Sequence, residues 1–296
     1  MADSTMERTV PFAVDGEMYY TWYKVFGDLS DGTHRPLVVL HGGPGLSHDY
    51  LLPISDLAST QHGPRPVIFY DQLGCARSTH LPNKPYSFWT VGLFVDELVN
   101  LLRHLSIEND FDVLGHSWGG MLGAELAVER QPKGMKHLIL SNSLASMELW
   151  GRSNAQLAEK FSQEVQDGLH VGMADPDKYR AALQVYHAVH GCTVKPVPRE
   201  VAYSLQQTFD DPTVAERMFG GVLPTWSIVN RLHSIRIPVL VVNGAEDMAQ
   251  DLVVEPFFWR IDKVKWVTFG KSSHMPFWEE RERYMQLVAD FMTSKA

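Results

Sequence analysis

The sequence predicts a doubly wound α/β fold with a mostly parallel sheet and an inserted helical cap. Three observations predict it. Short apolar runs alternate with helical patterns in the first half of the chain and again near its end, the signature of strands crossing over through helices. The alternation stops between residues 144 and 232, where the pattern is helical throughout. And Gly115-His116-Ser117-Trp118-Gly119 stands where one apolar run ends and a helical pattern begins, the setting in which G-x-S-x-G exposes a serine on a tight turn.

The first two runs, 9–14 and 17–25, alternate in polarity and are joined by Asp15-Gly16, a strong hairpin signal. Beyond a polar loop at 28–35 come runs at 36–40, 66–70, 111–114, 137–141, 238–242 and 264–269. Continuous apolar runs of this length suit a parallel sheet covered on both faces. Between them, 90–105 carries Val91, Phe94, Val95, Leu98, Leu101, Leu102 and Leu105 at helical spacing, and 118–130 and 279–292 read the same way. The helical stretch is broken at Gly168, Pro176, Gly191, Pro196, Pro198, Pro212 and Gly220-Gly221. The chain thus divides into a core segment at 1–143, a cap at 144–232 and a second core segment at 233–296. A cap placed there covers the strand ends, where such sheets bind ligands.

Composition excludes several functions. The chain has 296 residues, 45% hydrophobic and 21% charged, enough for a sizeable core without a metal or disulfide staple. Its net charge is −9, and its basic residues are scattered. Nucleic acid is not an expected partner, because phosphate contacts need a basic surface. Cys75 and Cys192 are the two cysteines, with no C-x-x-C pattern; Cys75 reads as a small buried filler. The polar N-terminus and strand-sized apolar runs lead us to expect a cytoplasmic protein with no membrane partner.

A serine hydroxyl needs a base to take its proton. In the fold to which this elbow belongs, the orienting acid follows the next-to-last core strand and the histidine follows the last, in the chain order Ser, Asp, His. Asn243-Gly244-Ala245-Glu246-Asp247 follows the run at 238–242, and Gly270-Lys271-Ser272-Ser273-His274 follows that at 264–269. Ser117, Asp247 and His274 are therefore the expected nucleophile, acid and base, with Glu246 and Asp251 as rivals for the acid. His41-Gly42-Gly43-Pro44-Gly45, directly after the run at 36–40, places backbone N–H groups at the sheet edge. The expected oxyanion donors are the N–H groups of Gly43 and Trp118. Trp150, Tyr186, Phe219 and Trp226 are candidates for an aromatic pocket, although core packing accounts for each equally well. His187, His190 and Cys192 have conceivable metal spacing, but an ordinary cap helix is the better reading, so no metal and no cofactor are expected.

These segments resemble the proline iminopeptidases. The resemblance is carried by His41-Gly42-Gly43-Pro44-Gly45, by Tyr70-Asp71-Gln72-Leu73-Gly74-Cys75-Ala76-Arg77-Ser78 and by Gly115-His116-Ser117-Trp118-Gly119-Gly120. The tail Ser273-His274-Met275-Pro276-Phe277-Trp278-Glu279-Glu280-Arg281 carries it too. It covers the core and is looser across the cap. It implies an α/β-hydrolase that releases N-terminal residues or cleaves amino-acid amides, with a small molecule or short peptide as substrate. The sequence departs from the family pattern where the family holds the substrate amine. Met248 stands where an acid commonly follows the triad aspartate, and Met218-Phe219-Gly220-Gly221-Val222-Leu223 replaces a cap segment that carries another. Glu216 and Glu246 are nearby acids, but not at the matching positions. An ammonium in a dry pocket needs a carboxylate, so an acyl group without a free amine is expected, with Met248 offering it an apolar wall. The same machinery also admits an acyltransferase, lyase or cyclase, or a ligand sensor with a closing cap.

Overall fold

In the computed structural model, residues 4–30, 32–59 and 64–293 are described. The strands are β1 (Ser4–Val14), β2 (Glu17–Phe26), β3 (Leu37–Leu40), β4 (Val67–Asp71), β5 (Phe111–His116), β6 (Met135–Ser141), β7 (Val239–Gly244) and β8 (Val264–Phe269). They form one sheet in the order β1-β2-β4-β3-β5-β6-β7-β8. The Asp15-Gly16 turn returns the chain so that Val14 faces Glu17 across an antiparallel hairpin, and β2 also pairs antiparallel with β4. From β4 onward every pairing is parallel.

Period-two geometry sorts the apolar runs into two layers. Val38 and Leu40 of β3, Val113 of β5, Leu138 and Leu140 of β6 and Val239 and Val241 of β7 belong to one cluster. Their neighbours Leu37, Val39, Leu114, Ile139, Leu240 and Val242 belong to the other. The first layer is covered by helices α1 (Val91–His104) and α2 (Trp118–Glu125), through residues such as Leu98, Leu101, Met121 and Leu122. The second is covered by a 3-10 segment, Asp49–Ala58, through Ile54 and Leu57, and by the last helix of the chain.

Between β6 and β7 the regular elements are all helical: α3 (Met147–Ala158), α4 (Gln163–Val171), α5 (Pro176–His190), α6 (Arg199–Asp210), α7 (Thr213–Phe219) and short 3-10 turns. A lone bridge, Ser146 to Ser227, ties the two ends of this segment. After β7 come α8 (Asp251–Arg260), then, beyond β8, α9 (Pro276–Glu279) and α10 (Arg281–Thr293). Among the described residues no helix is long and apolar enough to cross a membrane.

Three local expectations need correction. The run at 264–269 is not covered on both faces: β8 closes the sheet as an edge strand and only Phe269 in it is buried. The helix expected at 118–130 ends as α-helix at Glu125 and continues as a π-type turn, Leu126–Arg130. The helix expected from 279 begins at Arg281, because α9 ends at Glu279 and Glu280 takes a non-helical conformation between the two helices.

Candidate active site

Ser117 joins β5 to α2 in a conformation that non-glycine residues rarely take, φ 54° and ψ −121°. The turn is held by its N–H, which donates to the Ser141 carbonyl at 3.0 Å and so continues the ladder to β6. It is also made possible by close approach. A β-carbon on Gly119 would lie 2.1 Å from the Leu40 carbonyl oxygen, so only glycine lets α2 start against β3. From 111 to 120 every residue is buried except Ser117. Backbone strain and partial exposure on one serine are what an elbow requires.

Of the three acids after β7, Asp247 meets His274. Its Oδ1 accepts from His274 Nδ1 at 2.6 Å and from the Ala249 N–H at 2.9 Å. Its Oδ2 accepts from the Gly244 N–H at 3.2 Å and from Asn142 Nδ2 at 2.5 Å. The carboxylate is fully buried and surrounded by donors. Asp251 pairs instead with Asn243 Nδ2 at 2.9 Å, and Glu246 is exposed. With Nδ1–H donated to Asp247, neutral His274 keeps Nε2 free as an acceptor. Asn142, at φ 52° just beyond β6, is a contributor that no motif in the sequence announces.

The loop after β3 lies against Ser117. A β-carbon on Gly42 would come 3.1 Å from Ser117 Cβ and 2.8 Å from the Tyr50 hydroxyl oxygen. Gly43 sits at φ 113°, a region that favours glycine. Trp118 is the first residue of α2, and first-turn N–H groups have no intrahelical acceptor. Its indole N–H donates to Gln72 Oε1 at 2.7 Å, while Gln72 Nε2 donates to the His41 carbonyl at 3.1 Å. His41 Nδ1–H donates to the Gly42 carbonyl at 2.9 Å, and its Nε2 accepts from the Gln72 N–H at 3.0 Å. Burial, the largest effect, pushes the His41 pKa down to about 4 and keeps that arrangement neutral.

Tyr50 and His116 complete a relay that the sequence reading missed. The Tyr50 hydroxyl accepts from the Gly42 N–H at 2.7 Å, so its own proton goes to His116 Nδ1 at 2.7 Å. His116 Nε2–H then donates to the His274 carbonyl at 2.8 Å, and the two imidazoles meet edge-on with centroids 4.5 Å apart. Burial, then the nearby His274, hold His116 far below its ordinary pKa, so the ring is neutral. The loop bearing Gly42 and Gly43 and the chain bearing His274 are thereby fixed to one another. Tyr50 lies 66 residues from His116, and the one available signal was the polar residue inside the elbow.

The candidate pocket residues separate into two groups. Met248 and Tyr186 are buried together with Leu157, and Trp150 packs against them. The Trp150 ring is 5.9 Å from that of His274. Phe219 and Trp226 do not join them. Phe219 is 45% exposed at the end of α7. Trp226 belongs to the α1–α2 layer, its indole N–H donating to Glu125 Oε1 at 2.7 Å. For Trp226, apolar spacing marks a buried ring without saying which layer buries it. His190 Nδ1 is bonded to the Glu246 carbonyl at 2.8 Å. Cys75 and Cys192 are both buried free thiols. Among the described residues, His48, Asp49 and Asp71 are clustered closely enough to hold a cation. Arg77 already supplies the compensating charge, its Nη1 lying 2.8 Å from Asp49 and 3.0 Å from Asp71.

Comparison with known proteins agrees with this architecture. Residues 35–281 match the family model of the alpha/beta hydrolase fold. The chain is 31% identical over 286 residues to the proline iminopeptidase of Clostridioides difficile (strain 630), covering 93% of this chain and 95% of that one. The crystal structure of a proline iminopeptidase from Mycobacterium smegmatis superposes with a TM-score of 0.85 at 39% identity, over 97% of each chain. That of VinJ superposes with a TM-score of 0.90 at 40% identity, over 98% of this chain and 99% of that one.

Proposed function

The chain belongs to the alpha/beta hydrolase fold family, as a relative of the proline iminopeptidases, and from that premise we propose that it cleaves an amide or ester through an acyl-enzyme on Ser117. The observation that carries the reading is the buried pair of Asp247 and His274, 2.6 Å apart, beside an elbow whose serine alone reaches the surface. Ser117 Oγ attacks the carbonyl carbon as its proton passes to His274 Nε2. Asp247 stabilises the imidazolium and holds its tautomer. The N–H groups of Gly43 and Trp118 receive the developing oxyanion. His274 then returns the proton to the leaving nitrogen or oxygen, and water, deprotonated by the same ring, releases the acid. Helices α3 to α7 form the cap over this site.

The proposed acyl group carries no free α-amine. Met248 lies in an apolar cluster with Leu157 and Tyr186, and its thioether offers an ammonium no compensating charge. Removing one partner of a buried charge pair costs about 3–5 kcal/mol, which is roughly two to four orders of magnitude in kcat/KM. The test compares a prolyl arylamide with its N-acylated analogue and a size-matched apolar ester. We expect the ester and the acylated compound to be preferred, and Met248→Glu to shift the ratio toward the free amine. Efficient cleavage of the free-amine compound alone would overturn the preference and direct attention to Glu216 or Glu246.

A further inference from the structure

Helices α5 and α6 present matching stripes to each other without closing. On α5, Arg180, Leu183, Gln184, His187, Ala188 and the following Gly191 line one side of a cleft of about 270 Å³. Their spacing of three and four residues puts them on a single helix face. On α6, Val201, Ala202, Leu205, Gln206 and Phe209 line the other side. Each helix is fastened elsewhere. The hydroxyl of Ser204 bonds that of Ser47 at 2.7 Å and accepts from the Tyr50 N–H at 3.2 Å. Thr208 Oγ1 donates to the Gly45 carbonyl at 3.2 Å. The opposite face of α5 is held by Tyr186, whose hydroxyl donates to Asn154 Oδ1 at 2.7 Å. Facing helices ordinarily pack shut, since unfilled space is costly; here the lining mixes apolar side chains with Arg180, Gln184, His187 and Gln206, and each helix is anchored elsewhere.

One wall of the cleft adjoins the chain that bears His274. Met275, next in the chain to His274, lines it. His187 lines it too, and its pKa falls to about 4 through burial first and the proximity of His274 second. The lining contains the cations Arg180 and Lys195 and no carboxylate, in a chain whose net charge is −9. Arg180 is held over the Phe209 ring at 4.1 Å and donates to Gln206 Oε1 at 2.7 Å, so its charge is fixed beside the apolar wall. At about 30 Å³ per methylene- or water-sized group, the space holds on the order of nine such groups.

We propose that the cleft between α5 and α6 is a binding subsite for an extended apolar chain of the substrate that ends in an anionic group, the chain lying along Leu205 and Ala202 and the anion meeting Arg180 and Lys195. This rests on the reading that the scissile bond is held at Ser117. The test is calorimetric titration of the Ser117→Ala protein with N-alkyl acetamides of roughly six to twelve carbons, ending in carboxylate, ammonium or methyl, alongside hydrolysis of the same series by the wild type. Affinity should rise about threefold to fourfold per methylene up to about nine. The carboxylate series should bind at least about tenfold tighter than the ammonium series. Ala202→Phe should abolish the dependence on length, and Arg180→Gln, a change at the cleft rim that keeps the protein testable if the first variant does not fold, should level the dependence on charge. Affinity indifferent to length, or ammonium bound as well as carboxylate, would overturn the proposal. Length-dependent binding without any hydrolysis by the wild type would support the subsite while removing the acyl-enzyme reading.

Discussion

Replacing Asp247 by asparagine exchanges one acceptor oxygen for an NH2 group where every neighbour is a donor. If the amide nitrogen turns toward Gly244 and Asn142, the buried Gly244 N–H loses its acceptor. If it turns toward His274, the Ala249 N–H loses its own, and His274 can accept only by moving its proton to Nε2. That tautomer cannot take the proton of Ser117. The wrong tautomer in a serine triad lowers kcat by about 10⁴-fold, or roughly 5 kcal/mol. One buried N–H without a partner costs about 1–3 kcal/mol of stability, which at this chain length is a fall in Tm of roughly 2–6 °C. The assay is steady-state kcat on an aryl ester together with a thermal melt, with Glu246→Gln as the control. A kcat within about tenfold of the parent, or a Glu246→Gln variant damaged more than Asp247→Asn, would refute the reasoning and move the acid to another position in the loop.

Two further outcomes follow from groups outside the proposed triad. Tyr50→Phe removes the acceptor of the Gly42 N–H and the donor to His116 Nδ1, so two buried groups are orphaned at about 1–3 kcal/mol each. Both Tm and kcat should fall, and an unchanged kcat would show that the relay does not hold the oxyanion loop. His80 Nδ1 faces Asp211 at 2.5 Å and its Nε2 faces the Ala76 carbonyl at 2.9 Å, two acceptors that call for the doubly protonated ring. Burial opposes that charge, but the bonds to Asp211 and Ala76 outweigh it and raise the pKa above the ordinary 6.5. Because the folded-state pKa is raised, this stabilisation is fully present below the unfolded pKa and is lost as pH rises through the folded one. The difference in Tm between the parent and His80→Gln should therefore shrink as pH rises above 6.5 into the alkaline range; a constant difference would contradict it.

The core was legible in the sequence to the extent that local rules fix it. Asp15-Gly16 set the hairpin, and short apolar runs marked the strands, because each depends on neighbours within a few residues. Strand order did not follow from them: β3 lies between β4 and β5, a consequence of crossover packing and not of any local pattern. Helix α8 was not foreseen, since Pro256 lies inside it and interrupts the pattern from which helices are read. In the site, Glu246, Asp247 and Asp251, three acids within six residues, looked alike, and the choice among them depends on which carboxylate the donors of Gly244, Ala249 and Asn142 surround. Tyr50 meets His116, and Asn142 meets Asp247, over sequence distances that no single motif spans. For Trp226 the core alternative holds, because hydrophobicity predicts burial and tertiary packing decides the partner; Phe219 is half-exposed at the end of α7 and meets neither expectation.

The central claim is that Ser117 is the nucleophile, and covalent labelling tests it most directly. The purified protein is treated with a serine-directed phosphonylating probe and the labelled peptide is identified by mass spectrometry. One adduct is expected, on the peptide carrying Gly115-His116-Ser117-Trp118-Gly119. Ser117→Ala should lose both the adduct and at least about 10³-fold of turnover, with its fold intact by thermal melt. Labelling at another residue, or turnover in Ser117→Ala within a few fold of the parent, would contradict the account.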